Sequence, residues 1–514
     1  MADQTDAERQ HGTDEHDLAK FGYTQELKRS LGVFSSFAVA FSYISPSTGI
    51  FALFFLGLTT VGGIFFWSWP IVAAGQLIIA IGFAELSSHY PVAGSVFQWT
   101  KYLSGKTYSW FAGWIYLFAG IITVTSVCAT LPYALIPALN NMGWELESSL
   151  DNQRYIAVLA LISITLLNIF GVRLVAIVNN TGVLFEILGM VIFAFILALF
   201  HNHQGVGVVF DSAGTDVTTS TFLVAMFMSL YVIYGFDTAS TLAEETKDPR
   251  REAPRAVIAS VIGAFVIGAV FLWALLMAIP DMGVAISESW GPAQIIDANF
   301  GNAFATVYLL VVAAAIFVCC LAIQTSTIRL AFGMARDDRL PISKALSKVN
   351  PRLHTPIGAC IAIGVLAFIP MLQYAGVAII AIAATGMIYL SYLICNFAVL
   401  RARMKGWPRT PAPFSLGKWG IPITIVGILY GGAMLINIAW PRAATNPTPE
   451  ETGGLLDFRM DWLNDIPIFW TVVVTTAIVG AIYFLIVQRK KPAYLTAPEG
   501  AVFADEADKA AIPK

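Results

Sequence analysis

Residues 31–63 contain no charged side chain, and this run restricts the chain to folds that lie in a lipid bilayer. About 20 apolar residues of α-helix cross the roughly 30 Å of a membrane core. The centre of the run, residues 41–51, is nevertheless a poor helix. Pro46 lacks an amide hydrogen and clashes with the preceding turn, and Gly49 is flexible. Three nearby hydroxyls compete for backbone hydrogen bonds: those of Ser45, Ser47 and Thr48.

Irregular backbone at this depth is tolerated only where protein buries it or where it lines a wet cavity. An unwound helix there exposes amide and carbonyl groups that can hold a small charged molecule. A simple kink, with the hydroxyls bonded to the freed carbonyls, is the alternative. We favour a binding site, because a second interruption occurs later in the chain.

Composition indicates a polytopic all-α membrane protein. Of the 514 residues, 57% are hydrophobic and 12% are charged, whereas a soluble protein has about 25% charged residues. Windows of about 19 residues predict twelve transmembrane helices. They lie at 32–57, 62–85, 108–135, 155–171, 176–200, 218–243, 254–279, 302–334, 356–372, 374–399, 420–440 and 466–487.

The distribution of basic residues sets the expected orientation. With the N-terminus in the cytoplasm, only three of the 30 basic residues fall in outside loops: Arg154, Arg442 and Arg459. Positive charge concentrates on the cytoplasmic side of membrane proteins, so both termini are expected there, in the plasma membrane. Residues 86–106 mix aromatic, apolar and basic side chains, which predicts a helix lying at the membrane surface.

The sixth predicted span is interrupted as well, at Gly235. Asp237 follows in an apolar segment, where it either caps the next half-helix or contacts a ligand. Two broken helices five spans apart predict a five-plus-five repeat followed by two extra helices. The expected division is a tail at 1–30, repeats at 31–200 and 218–400, helices eleven and twelve at 401–487, and a tail at 488–514.

Glu186 is the most conspicuous candidate for ion coupling. It lies about eleven residues into the fifth span, where a carboxylate costs about 2.5–3.5 kcal/mol on insertion scales. Burial favours the neutral form of a carboxyl, so the group can take up and release a proton. A purely structural glutamate is one alternative. Sodium bound by the hydroxyls of Thr325 and Ser326 is another, although such hydroxyls often bond their own helix.

Other function classes fit the sequence poorly. No phosphate-binding loop of the ATPase type and no zinc-binding His-Glu-x-x-His motif occurs. None of the six histidines falls in a predicted span, and the five cysteines lie in apolar runs typical of core residues. We expect no enzyme activity, cofactor, metal or nucleic acid. A channel would use charge rings or filter carbonyls, and a membrane sensor of the same fold remains open.

Four stretches resemble the amino acid–polyamine–organocation transporter superfamily, and most closely its amino acid/choline branch. The first break, Ser47–Phe51, is similar to that family's break in helix one, although it carries Pro46 and a single glycine. Residues 85–99 match the loop after helix two. Gly235–Asp237, with Glu244–Ala256, looks like the helix-six signature, and Arg336–Pro341 also fits.

The resemblance implies a LeuT-like transporter with a central site between helices one and six. The backbone of Ser47, Thr48 and Gly49 would hold a substrate carboxylate, and carbonyls near Ser45 and Tyr234 would hold its amine. Tyr231 would be an aromatic gate, and selectivity would involve residues 123–126 and Gln324. The expected partners are an amino acid or amine, a proton or sodium ion, and membrane lipid.

The charged loops allow two interpretations. Their residues could form salt bridges at a cytoplasmic gate, or they could be solvated and anchored to lipid headgroups, which we favour. The residues concerned are Arg250, Arg251, Arg255, Arg336, Arg339, Glu85 and Glu244.

Overall fold

The computed structural model describes residues 14–373, 376–442 and 467–491. Helices dominate this part of the chain, and the β contact within it is one isolated bridge between Leu31 and Thr246. The predictions for Arg459, for the first residues of the tenth span and for residues 1–13 and 492–514 of the two tails concern residues outside this description.

The helices follow in chain order. The first nine are α1 (Val33–Ile44), α2 (Pro46–Val61), α3 (Ser68–His89), α4 (Ser95–Leu103), α5 (Lys106–Cys128), α6 (Pro132–Asn141), α7 (Leu150–Phe170), α8 (Val172–Phe200) and α9 (Thr219–Val232). The others are α10 (Thr238–Thr241), α11 (Pro249–Met277), α12 (Met282–Ser287), α13 (Pro292–Asn299), α14 (Asn302–Arg336), α15 (Ser343–Leu346), α16 (Ile357–Phe368), α17 (Val377–Met404), α18 (Gly420–Ala439) and α19 (Ile468–Ile486).

Nine helical stretches in the described ranges are long and apolar enough to cross a membrane. One of them, Val33–His89, contains the first two predicted spans. Two shorter apolar helices, Thr219–Val232 and Ile357–Leu372, coincide with the sixth and ninth predicted spans. The prediction of an all-α membrane protein is therefore confirmed. His89, expected in a loop, is instead the last residue of α3.

The helices differ in how deeply they are enclosed. In the most apolar stretch of Lys106–Asn141, 89% of the residues are buried, whereas in that of Ile468–Ile486 only 22% are. Around α5 the closest packing partners are α17 and α14, while α2 packs on α9 and α3 packs on α11. The poorly buried helices α18 and α19 expose apolar side chains, as lipid-facing helices do.

The helix predicted at the membrane surface exists as α4, but all nine of its residues are buried. It packs against α5 and α17, and residues of the N-terminal segment cover it, with the Phe21 ring 5.4 Å from that of Tyr102. The helix is therefore covered by protein rather than exposed to lipid headgroups. The mixture of aromatic and basic side chains contacts protein, because Lys101 pairs with Asp337 at 2.8 Å.

Candidate substrate site at two interrupted helices

The first predicted interruption is confirmed and consists of one residue, Ser45, which has left-handed φ and ψ of 37° and 84°. Pro46 occupies the first turn of α2, where a missing amide hydrogen costs nothing. The break is narrower than predicted, because Ser47, Thr48 and Gly49 already belong to that first turn. The carbonyl end of α1 and the amide end of α2 meet here, so partial charges of both signs lie side by side.

Glu186 of α8 contacts this break. The hydroxyls of Ser45 and Ser47 donate to one carboxyl oxygen, Glu186 Oε1, at 2.7 and 2.6 Å. Thr48 Oγ1 lies 2.6 Å from Ser45 Oγ and extends the network. The sequence predicts that the serines bind substrate and that the glutamate binds the coupling ion. In the structure these side chains are hydrogen-bonded to each other. Any change in the charge of Glu186 therefore alters the hydrogen bonding at the break itself.

The second predicted interruption is also confirmed. Helix α9 ends at Val232, and α10 begins only at Thr238. Gly235 between them has φ +85°, and a Cβ there would overlap the ring of Tyr43, so a glycine is needed for two reasons. The Gly235 amide donates to Tyr392 Oη at 2.9 Å.

The two breaks lie against each other. A Cβ on Gly49 would overlap Val232 of α9, and the rings of Tyr43 and Tyr234 are 6.2 Å apart in an edge arrangement. Tyr231 Oη lies 3.0 Å from Ser126 Oγ. The glycines thus let the side chains of Val232 and Tyr43 pack directly on the backbone of the opposing segment, which brings the residues of both breaks into one place.

A small cavity of about 10 Å³ lies between the breaks. Its walls come from α1, α2, α5, α9, the second break and α14, and comprise Tyr43, Ile44, Thr48, Gly49, Thr123, Val127, Tyr231, Tyr234, Cys319 and Ile323. That volume suits one water molecule, so anything larger enters only when these side chains move. Thr123 lies where the resemblance places the selectivity pocket, whereas Gln324 instead contacts Asn168 and Thr165.

Asp237 is held away from this cavity. Three hydroxyls donate to its carboxylate: Ser95 at 2.7 Å, Tyr116 and Tyr392. Within the described part of the chain, its side chain makes no capping bond to α10 and does not line the cavity. The capping alternative therefore lacks its side-chain bond, and contact of Asp237 with a ligand stays a prediction. Because Tyr392 also accepts from the Gly235 amide, Asp237 fixes the shape of the second break.

The hydroxyls predicted as a sodium alternative lie elsewhere. Thr325 Oγ1 is 2.7 Å from both Asn168 Oδ1 and the Leu321 carbonyl, and Ser326 Oγ accepts from Thr238 at 3.3 Å. Helix α14 reaches the first break through another residue, Cys319, whose Sγ is 3.5 Å from the Tyr43 carbonyl. In the part of the chain that the structure describes, these two hydroxyls thus bond to residues away from the first break.

Buried ion pairs close the end of the molecule that carries the N-terminal segment. Arg336 binds Glu244 through two hydrogen bonds of 2.6 and 3.0 Å, and Arg403 pairs with the fully buried Glu85. The favoured interpretation, solvated charges, is wrong for these residues and for buried Arg339. It fits Arg251 and Arg255, whose side chains are 64% and 71% exposed.

The N-terminal segment, residues 14–31, contacts this end directly. Tyr23 Oη donates to Asp337 Oδ1 at 2.7 Å and accepts from Lys101, and the Arg336 guanidinium lies 3.8 Å from the centre of the Tyr23 ring. Burial and the nearby Asp337 raise the pKa of Tyr23. Burial lowers the pKa of Lys101, which Asp337 partly offsets. The segment thus covers the buried charges.

Sequence reasoning missed five side chains that shape the site. Cys319 touches the first break, and Tyr43 separates the two breaks. Tyr116 and Tyr392 bind Asp237, and Tyr308 lines a cavity beside Glu186. Each is one tyrosine or cysteine within an apolar span. From the sequence alone, such a residue looks like an ordinary core residue. Only its contact with a residue distant in sequence shows that it shapes the site.

Comparison with known proteins gives consistent matches along the chain. The family described as amino acid permease matches residues 31–452. The amino-acid permease BAT1 of Arabidopsis thaliana is 28% identical over 489 residues, covering 87% of this chain and 93% of that protein. Its homolog from Oryza sativa subsp. japonica is 27% identical, covering 85% and 91%. The GABA-specific permease of Saccharomyces cerevisiae is 23% identical, covering 82% and 78%.

Proposed function

Because the chain belongs to the amino acid permease family of the amino acid–polyamine–organocation superfamily, we propose that it moves amino acids or related amines by proton-coupled alternating access. Membership makes the chain an integral membrane transporter and not an enzyme. The coupling ion, the substrate and the repeat architecture are the parts that we propose here.

We place the helices in a LeuT-like arrangement of twelve, with repeats at 31–200 and 218–400 and two added helices at 401–487. The packing supports this order. If each transmembrane span of the first repeat corresponds to the span five places later, the pair α5–α17 becomes equivalent to the pair α14–α8. Both pairs are in contact. The same exchange leaves the pairs α2–α9 and α3–α11 unchanged, and these also pack closely.

The substrate site in this proposal is the meeting point of the two breaks. The first amides of α2, at Ser47, Thr48 and Gly49, would face a carboxylate, and the last carbonyls of α1 and α9, near Ser45 and Tyr234, would face an amine. The Gly49 amide, which donates to the Ser45 carbonyl at 3.3 Å, would have to leave it for this. Tyr231 would close over the bound molecule. A zwitterion fits both partial charges, and the name of the yeast relative keeps γ-aminobutyrate among the candidates. Choline and polyamines are alternatives.

Proton coupling depends on one observation, the contact of a buried carboxyl with the first break. Glu186 Oε1 accepts from Ser45 and Ser47, so protonation weakens two hydrogen bonds at the residue that separates α1 from α2. Sodium coupling through Thr325 and Ser326 lacks a comparable contact. We therefore favour the proton, which would enter with the substrate and leave on the cytoplasmic side.

In this orientation the ion pairs and the N-terminal segment lie at the cytoplasmic face of the plasma membrane. The cavity holds only one water molecule, so in the proposed cycle the site has to widen before a substrate binds. Release of the substrate would then require the N-terminal segment and the pairs beneath it to separate.

Uptake by the purified protein in liposomes tests this function. We expect a panel of labelled amino acids, γ-aminobutyrate, choline and putrescine to contain a compound that accumulates under an inward proton gradient and not under a sodium gradient alone. Sodium-driven accumulation would refute the coupling. Binding of a compound without any movement across the membrane would instead identify a membrane sensor.

A further inference from the structure

A second cavity of about 10 Å³ lies beside Ser47, next to the first break. Its walls are Ser47, Glu186, Gly189, Met190, Tyr308, Val311, Val312 and Ala315. Only three of these side chains are polar: Ser47, Glu186 and Tyr308. The cavity is large enough for one water molecule, and buried waters usually have about three polar partners.

Tyr308 is the unexplained member of this wall. Its side chain is buried, yet its hydroxyl finds no protein partner among the described residues. Its ring is fixed, because it stacks on Phe193 with centroids 3.5 Å apart. A buried hydroxyl without a partner costs about 1–3 kcal/mol, so a ligand for this oxygen is expected.

The position of Tyr308 along α14 indicates which end of the molecule the cavity is nearer. Tyr308 lies six residues after the start of α14, roughly 9 Å along the helix, at the end away from the N-terminal segment. Phe193, Phe300 and Phe304 stack beside it and separate the cavity from the loop that carries His201, whose ring contacts Phe300. In the proposed orientation this is the extracellular end.

We propose that Tyr308 and Ser47 hold one water molecule against the Glu186 carboxyl, and that this water is the last carrier of protons arriving from the extracellular end. An incoming hydronium ion passes a proton to this water. The water gives one of its own protons to the carboxylate, which becomes a neutral carboxylic acid, and the water itself is regenerated. Tyr308 is a positioning residue in this step, and the assignment depends on the proton coupling proposed above.

Other titratable groups do not compete for this task. From α14, only Tyr308 and Cys319 face Glu186; α1 and α2 contribute hydroxyls at the break. The charged residues of the neighbouring helix α11 all lie within 250–255, and those of α7 lie within 151–154. Tyr308 is thus the one polar side chain on the extracellular side of Glu186 in the wall of this cavity.

Tyr308→Phe in the full-length protein tests the assignment, because it keeps the ring stack and removes the hydroxyl. We expect proton-driven uptake of labelled γ-aminobutyrate or alanine, whichever the wild type accumulates, to slow about fivefold, the effect of one lost hydrogen bond. The substrate KM at acid pH should stay unchanged. In infrared spectra, the carboxyl band that Glu186→Gln abolishes should move to higher frequency, because the carboxyl loses a bound water.

Tyr430→Phe is the matched control, since it removes the hydroxyl of a half-buried tyrosine that contacts Tyr389 and the Val72 carbonyl. It should leave both readouts unchanged. An unshifted band together with normal uptake in Tyr308→Phe would overturn the water site while leaving Glu186 as the coupling group. Retained pH dependence in Glu186→Gln would instead overturn the proton coupling on which this inference rests.

Discussion

Replacing Glu186 by glutamine removes the charge of this side chain and keeps its shape. The amide oxygen can still accept from Ser45 and Ser47, but the side chain can no longer take up a proton. A hydrogen bond to a charged acceptor contributes about 1.5–3 kcal/mol and one to a neutral acceptor about 0.5–1.5 kcal/mol. With two such bonds, the break loses about 2–3 kcal/mol relative to the ionised form. The variant therefore resembles the protonated state permanently.

The consequence for transport follows from the energy of the gradient. One pH unit corresponds to about 1.4 kcal/mol per proton, which is about a tenfold ratio of concentrations. With the membrane potential clamped, wild-type protein carrying one proton per neutral substrate should accumulate it about tenfold per pH unit. Glu186→Gln should reach an inside-to-outside ratio near one at every gradient, while labelled and unlabelled substrate still exchange.

The assay is uptake into liposomes at imposed gradients of zero, one and two pH units. Glu147→Gln serves as the control, because it neutralises an exposed glutamate and should accumulate substrate like the wild type. If Glu186→Gln accumulates substrate as steeply as the wild type, the driving proton binds elsewhere and the role of Glu186 is wrong. Loss of exchange as well as accumulation would show damage to the substrate site rather than loss of coupling.

Three further changes test the remaining geometry. Gly49→Trp should abolish uptake while the protein still inserts into the membrane, because a side chain there collides with the opposing helix; normal uptake would remove the site from this position. Gly235→Ala should lower the free energy of unfolding by at least about 1–2 kcal/mol, the cost of a left-handed residue, whereas Gly82→Ala, with open space around its added Cβ, should be neutral or stabilising in the same thermal melts. Tyr23→Phe removes the hydroxyl bonded to Asp337 and should speed hydrogen exchange of residues 14–31 about tenfold; unchanged exchange would show that ring packing alone holds the segment.

Local chemistry made the two interruptions predictable. Pro46 cannot continue a helix, and Gly235 is the residue that a positive φ and a neighbouring ring require, so both breaks follow from the residues at the break. The extent of the first break was not predictable in the same way. Hydroxyls at Ser47 and Thr48 can either compete with a helix or sit at its start, and only the contact with Glu186 decides between these outcomes.

Contacts between residues distant in sequence could not be predicted from the local sequence. Asp237 bonds Tyr392, which is 155 residues away, and Glu244 bonds Arg336, 92 residues away. The sequence predicts that Glu244 and Arg336 are solvated, because a charged residue in a polar loop usually is. Their burial depends on the N-terminal segment, whose sequence carries no signal that it folds back across the helices.

The two ends of the site are closed by different kinds of interaction. Aromatic rings around Phe193 close the extracellular end of the proposed orientation, while Arg336–Glu244 and the contacts of Tyr23 close the other. Sliding stacked rings apart costs little free energy, because lipid or another ring can take the place of the lost partner. Buried charges lose several kcal/mol if they separate in a dry interior but much less if water enters as they part. In the proposed transport cycle, cytoplasmic opening therefore has to admit water and separate the charges in one step, and Glu186 contacts the helix break between these two closures.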